Sequence, residues 1–333
     1  MLCTGVARRT NETRRSRPRS AGRSSLSQTH VKHHYVPQFY LRQWAGEDRT
    51  FYWYGLAQGN RMIGGRVGPK GAAFARDLYG APPAVHWEAH DPNIIETQVM
   101  SSIDNDAALV LQKVVGGTHQ LDDKERTAWA TFLNSLIHRH RDDVFARDAR
   151  APRVVAEVSA SLLARYRADD GSREKVARVL DDVDLTQAAK TAHRTVMVQK
   201  IRDPDAIAAI KALAWTVVAI DPKVPLITTD RPLLVNLGRG GPPQLMTLPL
   251  SPTRMFVAYV PDPSSTGEDV QSLLANVSFA SDLLLLNEHP CCFVYSSREI
   301  DDSCIIGDKV IRLRSAAQQA LARWASVTDD DQR

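Results

Sequence analysis

The residues best suited to chemistry lie in one short segment, HHYVPQFYLR at positions 33–42. Two adjacent imidazoles, His33 and His34, are followed closely by the amide of Gln38. Histidine titrates near neutral pH and is the commonest metal ligand, so the segment suits acid–base or metal chemistry. In an extended chain neighbouring side chains point to opposite faces, so only one imidazole can serve a given site. The alternative is a structural lock, in which a histidine bonds a backbone carbonyl and fixes the segment.

A second candidate is the turn Thr229-Asp230-Arg231-Pro232, which follows a short apolar run. A carboxylate at the end of a strand stands where loops commonly carry function. The alternative is an Asx turn, in which Asp230 accepts hydrogen bonds from nearby backbone N–H groups. The residue types alone do not separate these two interpretations.

Two further acids, Glu96 and Asp104, lie close to two helical turns apart and therefore share one face of a helix. Carboxylates placed in this way can bind a divalent ion. The alternative is an acidic stripe in solvent, or ion pairs with Arg139 and Arg141. These two arginines diverge on a helix, so one is expected in the core and the other at the surface. A clamp for phosphate or carboxylate is the functional interpretation of the pair.

We hypothesise that these segments build one polar site in which a chain segment near residue 34 meets the turn near residue 230. The expected catalytic residues are His33, His34, Gln38, Arg139 and Asp230. The expected ligands of a divalent metal ion are His34, Glu96 and Asp230. Such a set suits a metal-assisted hydrolase or nuclease, in which the metal activates water. The alternative is a non-catalytic ligand-binding or regulatory module, in which the histidine segment recognises a partner or is only a structural lock.

The net charge of +4 is unevenly distributed along the chain. The residues before Thr29 hold a run of arginines against the single acid Glu12, and they offer little apolar surface, so residues 1–29 are predicted to be disordered. Without this tail the chain is slightly acidic. The charge of the body therefore does not favour nucleic acid as a partner.

The order of patterns predicts an α+β protein with a mixed, largely antiparallel sheet and a central helical block. We expect a single domain over 30–326, followed by an acidic tail, 327–333. Its parts are a β-hairpin (50–67), a helical block (93–220), and a C-terminal sheet with helices (224–326). Asn93 is the expected N-cap of the first long helix, and the last helix of the block is expected over 205–220. Further helices are expected over 267–285 and 315–326.

No apolar run approaches the roughly 20 residues that a membrane span requires, so we expect no membrane association through a spanning helix. The cysteines show no zinc-binding spacing, and reduced thiols in the cytoplasm are the expectation. These cysteines are Cys3, Cys291, Cys292 and Cys304. The sequence indicates neither a partner nor an oligomeric state.

The segment at 33–42 closely resembles the opening signature of the bacterial family known as domain of unknown function 4238. Further blocks resemble the family in the same order: 51–54, 75–79, 96–107, 227–232, 248–252 and Asn287. Three features depart from the family pattern. Asp104 stands where glutamate is expected, and Arg231 stands where asparagine is usual. The helix expected to end at 136–142 keeps its arginine but lacks the Thr-Pro that tends to follow. The resemblance implies a domain over about residues 31–297 and a set of site residues, but no activity.

Overall fold

The computed structural model describes residues 31–56, 62–80, 91, 93–116, 120–165, 171–223, 225–237, 241–261 and 293–299. We describe the unit that begins at Val31. The predictions for the basic tail (1–29), the helices at 267–285 and 315–326, and the acidic tail (327–333) fall outside the described residues.

Ten strands and seven α-helices are found in the described ranges. The strands are β1 (Lys32–His34), β2 (Phe51–Leu56), β3 (Met62–Val67), β4 (Phe74–Arg76), β5 (Ala214–Ala219), β6 (Thr228–Thr229), β7 (Leu234–Leu237), β8 (Pro243–Ser251), β9 (Arg254–Tyr259) and β10 (Phe293–Ser296). The helices are α1 (Gln38–Leu41), α2 (Ser101–Val115), α3 (Asp123–His138), α4 (Arg141–Ala164), α5 (Ser172–Asp182), α6 (Leu185–Ile201) and α7 (Pro204–Ala212). A π-helical turn, Ile95–Met100, leads directly into α2.

Every strand pair in the described part of the chain is antiparallel. One sheet has the order β3-β2-β10-β6, a second has the order β5-β9-β8-β7, and β1 pairs with β4 alone. The prediction of an α+β fold with largely antiparallel sheets is confirmed. The predicted N-terminal hairpin forms as β2 and β3, and it joins the C-terminal strand β10 within one sheet.

The predicted helix over 205–220 is wrong in its second half. The helix α7 ends at Ala212, and β5 begins at Ala214 and pairs with β9 along its whole length. The segment contains Trp215 followed by Thr216, Val217 and Val218, and aromatic and β-branched side chains favour a strand. Pairing with β9 therefore outweighs the helical spacing of the apolar residues.

The helix α3 ends at His138 and α4 begins at Arg141, so Arg139 and Arg141 do not lie on one helix as the sequence analysis expected. His140 caps α4, because its Nδ1 atom accepts a hydrogen bond from the main-chain N–H of Asp142 at 3.2 Å. Asp142 and Asp143 lie in the first turn of α4, where their carboxylates interact favourably with the positive end of the helix dipole. Arg139 and His140 form the short segment between the two helices, and both side chains are almost fully buried.

The helix α1 joins the histidine segment to the second sheet. The hydroxyl of Tyr40 donates to the carbonyl of Pro249 at 2.6 Å and lies 2.8 Å from the hydroxyl of Thr228. Tyr40 and Trp44 are fully buried, with ring centroids 5.1 Å apart. The segment near residue 40 and the turn near residue 228 are therefore in direct contact.

Candidate functional site

The guanidinium of Arg139 is the centre of a buried polar cluster. Its Nε atom donates to the carbonyl of Tyr35 at 3.0 Å, and Nη1 donates to Asp104 at 2.8 Å. The hydroxyl of Tyr79 donates to the main-chain carbonyl of Arg139 at 2.7 Å. Burial disfavours the charged form, but the negative charges of Asp104 and Glu96 outweigh it and raise the pKa of Arg139. Asp104 therefore reaches this partner although it is one carbon shorter than the glutamate expected from the family pattern.

His33 is fully buried, and both of its ring nitrogens are bonded. The main-chain N–H of Tyr79 donates to Nδ1 at 2.8 Å, so Nε2 carries the proton and donates it to the side-chain oxygen of Asn93 at 3.2 Å. Burial lowers the pKa of His33 and so favours this neutral form. The Asn93 side chain therefore holds His33 instead of capping the helix as predicted. This arrangement is that of a structural lock.

His34 points away from His33, as the extended strand β1 requires. The side-chain nitrogen of Gln38 lies 3.5 Å from Nδ1 of His34. Burial is the main cause that lowers the pKa of His34 to about 4. The main-chain carbonyl of Lys70 raises this pKa, whereas the nearby cationic side chains lower it further. At neutral pH this imidazole is uncharged.

Glu96 lies on the π-helical turn that precedes α2. Such turns are rare and are frequently found at functional sites. Burial raises the pKa of Glu96 to about 7, partly opposed by the Arg139 guanidinium and by the main-chain N–H of His34. Three buried atoms around this turn have no hydrogen-bond partner among the described residues: Nε2 of His34, Oε2 of Glu96 and Nη2 of Arg139. The structure therefore brings together four of the predicted site residues, namely His34, Gln38, Glu96 and Arg139.

Asp230 lies on the other side of Tyr35, where a different imidazole faces it. The Nε2 atom of His140 is 3.7 Å from the Asp230 carboxylate, and the ring of Tyr35 packs edge-on against His140 at 5.0 Å. Asp230 also accepts a hydrogen bond from the main-chain N–H of Phe293 at 3.3 Å. Neither His33 nor His34 takes this position, contrary to the prediction.

Arg231, which departs from the family pattern, has a structural role. Its two terminal nitrogens donate to the Asp143 carboxylate at 3.1 and 3.2 Å. This bidentate pair connects the turn at 228–231 to the first turn of α4. The turn is thereby fixed next to His140.

In the part of the chain that the structure describes, no group of three or more histidine, cysteine, aspartate or glutamate side chains is arranged to hold a metal ion. The predicted ligand set His34, Glu96 and Asp230 is therefore not assembled. The reason is that His34 and Glu96 adjoin Arg139, whereas Asp230 adjoins His140. The polar residues form two clusters with Tyr35 between them.

A cavity of about 220 Å³ lies beside Tyr35. Aromatic rings form much of its wall, and a single guanidinium, that of Arg141, is among the described residues that line it. These residues are Tyr35, Trp53, Val67, Gly71, Ala72, Ala73, Phe74, Arg141, Phe293 and Tyr295. The lining residues belong to the histidine segment, the β2–β3 hairpin, β4 and the segment before it, the start of α4, and β10.

The roles of His140 and of the pocket residues Tyr35 and Trp53 were not predicted from the sequence. One signal was present, because Asp142 and Asp143, two and three residues after His140, are typical of the first turn of a new helix. A helix end before these aspartates would have placed Arg139 and His140 between two helices. The pocket had no such signal, since its walls are far apart along the chain.

The antiparallel sheets, the helical block and the buried arginine cluster define a mixed α+β protein, and a fold of this class does not by itself imply an activity. The chain belongs to the family described as protein of unknown function (DUF4238), whose model matches residues 32–302. This confirms the resemblance drawn from the segment at 33–42. No curated protein and no solved structure matches the chain. Among the described helices, none combines the length and apolar character needed to cross a membrane.

Replacing Arg139 by methionine is expected to destabilise the protein by about 3–5 kcal/mol, because Asp104 and the Tyr35 carbonyl lose their buried partner. The matched control is Arg153→Met, which removes a pair with Glu157 whose side chains are 84% and 62% exposed. That change should cost less than about 1 kcal/mol. Urea unfolding measures both, and equal losses would contradict the central role given to Arg139.

Replacing Glu96 by glutamine is expected to change how stability depends on pH. The folded pKa of about 7 lies above the ordinary value of 4.5, so the wild-type protein loses stability as the pH rises from about 4.5 to about 7. Glutamine has no such loss, so the melting temperature of Glu96→Gln relative to wild type should rise across this range and then level off. Parallel melting curves from pH 5 to pH 8 would show that Glu96 titrates normally.

Proposed function

We propose that this protein is a ligand-binding module whose pocket takes one flat ring. The supporting observation is the cavity of about 220 Å³, walled by the rings of Tyr35, Trp53, Phe293 and Tyr295. Aromatic side chains favour offset or edge-on packing with another ring. The volume suits a single ring with small substituents.

The backbone at Ala73 supports a role for this pocket. Ala73 lines the cavity with a φ angle of +49°, in the left-handed region that costs a residue with a side chain about 1–3 kcal/mol. Its carbonyl accepts hydrogen bonds from the main-chain N–H groups of Tyr35 at 3.0 Å and Val36 at 3.5 Å. Strained residues of this kind cluster at ligand sites, where the surrounding contacts hold them.

The wall formed by Tyr35 is fixed before any ligand binds. Its N–H donates to Ala73, its carbonyl accepts from Arg139, and its ring packs against His140. A wall held in this way loses little conformational entropy on binding. The buried Arg139 cluster then supports the pocket and does not itself contact the ligand.

Filling the cavity should abolish ring binding. We expect saturation-transfer NMR to detect indole, a neutral flat ring, on the wild-type protein and not on Ala72→Leu, because the larger side chain occupies the space. The matched control, Ala149→Leu, lies on the exposed side of α4 and should bind indole like wild type. An unchanged indole signal on Ala72→Leu, or no signal on the wild-type protein, would contradict the proposal.

A metal-assisted hydrolase or nuclease is the second candidate. Two buried atoms, Nε2 of His34 and Oε2 of Glu96, have no partner within the described ranges and favour this candidate. They lie beside and on a π-helical turn, and imidazole nitrogen and carboxylate oxygen are metal-binding groups. In this case a divalent ion would need a further ligand that the described residues do not supply. Nucleic acid or another phosphodiester would be the substrate.

Divalent ions test this second candidate. If it is correct, Zn²⁺, Mn²⁺ or Mg²⁺ should raise the melting temperature and support hydrolysis of bis(p-nitrophenyl) phosphate, since a ligand that binds only the folded state stabilises it. Both effects should vanish in Glu96→Gln and persist in Asp106→Asn, a change on the exposed side of α2. Absence of any shift and of any hydrolysis with all three ions would exclude the metal-dependent enzyme.

We also propose a cytoplasmic location. The support is compositional, because the few cysteines show neither the spacing of a disulfide framework nor that of a zinc site.

A further inference from the structure

We propose that the ring taken by the pocket is an aromatic side chain of an extended peptide, and that this peptide pairs through its main chain with the edge strand β3. The inference rests on the proposed ring-binding function and names the class of partner. It assigns to β3 the hydrogen bonds that a free ring would not make.

The strand β3 lies at the edge of its sheet. In the order β3-β2-β10-β6 it pairs with β2 on one side, and no other strand in the described ranges pairs with its other side. The pairing with β2 is regular over all six residues of β3, without a bulge. Because alternate residues of an antiparallel strand direct their N–H and C=O groups to opposite sides, some of these groups in β3 point away from β2 and can bind another strand.

The outer side of β3 lacks the features that usually prevent pairing with another chain. Edge strands are commonly protected by proline, by charged side chains or by bulges. There is no proline in β3, and its one charged residue is Arg66. The Arg66 guanidinium lies over the ring of Tyr52 and pairs with Asp48, on the sheet face opposite to the pocket. The pocket side of this edge therefore carries no charge.

The glycine at position 65 connects the edge to the pocket. Gly65 is the cross-strand partner of Trp53, so both lie on the sheet face where Trp53 lines the cavity. A Cβ atom at Gly64 would lie 2.8 Å from the Trp53 carbonyl, so packing against β2 requires that glycine. At Gly65 the nearest atom would be Nε1 of Trp53 at 3.4 Å, a contact that a small shift relieves. Glycine within a strand often marks the close approach of another main chain, and Gly65 fits this role.

These features together favour a peptide over a free ring. Strand addition obtains affinity from main-chain hydrogen bonds and specificity from pockets for alternate side chains. Neighbouring strands lie about 4.8 Å apart, so an added strand would run beside Gly65 and Val67, and Val67 also lines the cavity. One aromatic side chain of that strand would point to the pocket face, and its two neighbours would point to the other face.

Calorimetric titration of the full-length protein with acetyl-Thr-Thr-Phe-Thr-Thr-amide tests the inference. This peptide is uncharged, and its β-branched residues favour an extended chain. We expect it to bind the wild-type protein at least about tenfold more tightly than the same peptide with alanine in place of phenylalanine, because the ring is the anchor. Indole should compete with the peptide. Ala72→Leu should lose peptide binding, and the matched control Ala149→Leu should retain it.

N-methylation of the peptide tests the main-chain pairing, because each methyl group removes one N–H donor. One variant carries the methyl group on the phenylalanine, and the other carries methyl groups on the second and fourth residues. Only alternate residues of an added strand direct their N–H groups to β3, so one variant should lose at least about tenfold in affinity and the other should bind like the unmodified peptide. Equal affinities of the two variants would contradict strand pairing.

The outcomes separate this inference from the proposed function. If indole binds but the peptide does not, or if the alanine peptide binds as tightly as the phenylalanine peptide, the peptide assignment is wrong and ring binding stands. If indole and the peptide both fail to bind, both proposals are wrong. A dimer in sedimentation together with no peptide binding would assign the edge to a second copy of the chain and overturn the inference. These comparisons on the unaltered protein decide the matter even if Ala72→Leu does not fold.

Discussion

The fold depends on how a fully buried guanidinium is compensated. Arginine does not lose its proton at accessible pH, so Arg139 stays charged in the interior and needs protein groups as partners. A charge without partners in the interior would cost several kcal/mol, and the chain supplies Asp104 and the Tyr35 carbonyl as those partners. Each comes from a different segment, so the charge of Arg139 fixes α2, the histidine segment and the α3–α4 break relative to one another.

The extended histidine segment, held by the hydrogen bond from Arg139 to the Tyr35 carbonyl, presents its side chains to two different groups of residues. In an extended chain alternate residues point in opposite directions. His33 is held by Tyr79 and Asn93, His34 adjoins Glu96, and Tyr35 forms a wall of the pocket and faces His140. The density of polar groups in this segment therefore reflects a buried junction around Arg139 and one wall of the cavity beside Tyr35.

The sequence predicted the features that are set locally. The β2–β3 hairpin follows from neighbouring residues. The strand β5 was mistaken for helix because its partner β9 lies far along the chain. Only part of the site was predicted, because only part of it is set by residues close in sequence. The pairing of Glu96 and Asp104 with Arg139 was expected from helical spacing and charge. The approach of His140 to Asp230 depends on packing between distant segments.

The most direct test of the account is the affinity for indole of the double variant Arg139→Met with Asp104→Asn. Removing both charges leaves Glu96 as the remaining acid of the cluster. Without the Arg139 guanidinium, which lowers the pKa of Glu96, burial keeps this carboxyl protonated, so most of the stability lost in the single variant should return. The Tyr35 carbonyl nevertheless lacks its partner, and indole should bind clearly more weakly than to the wild-type protein. A stable double variant with unchanged indole affinity would contradict the claim that Arg139 holds the pocket wall in place.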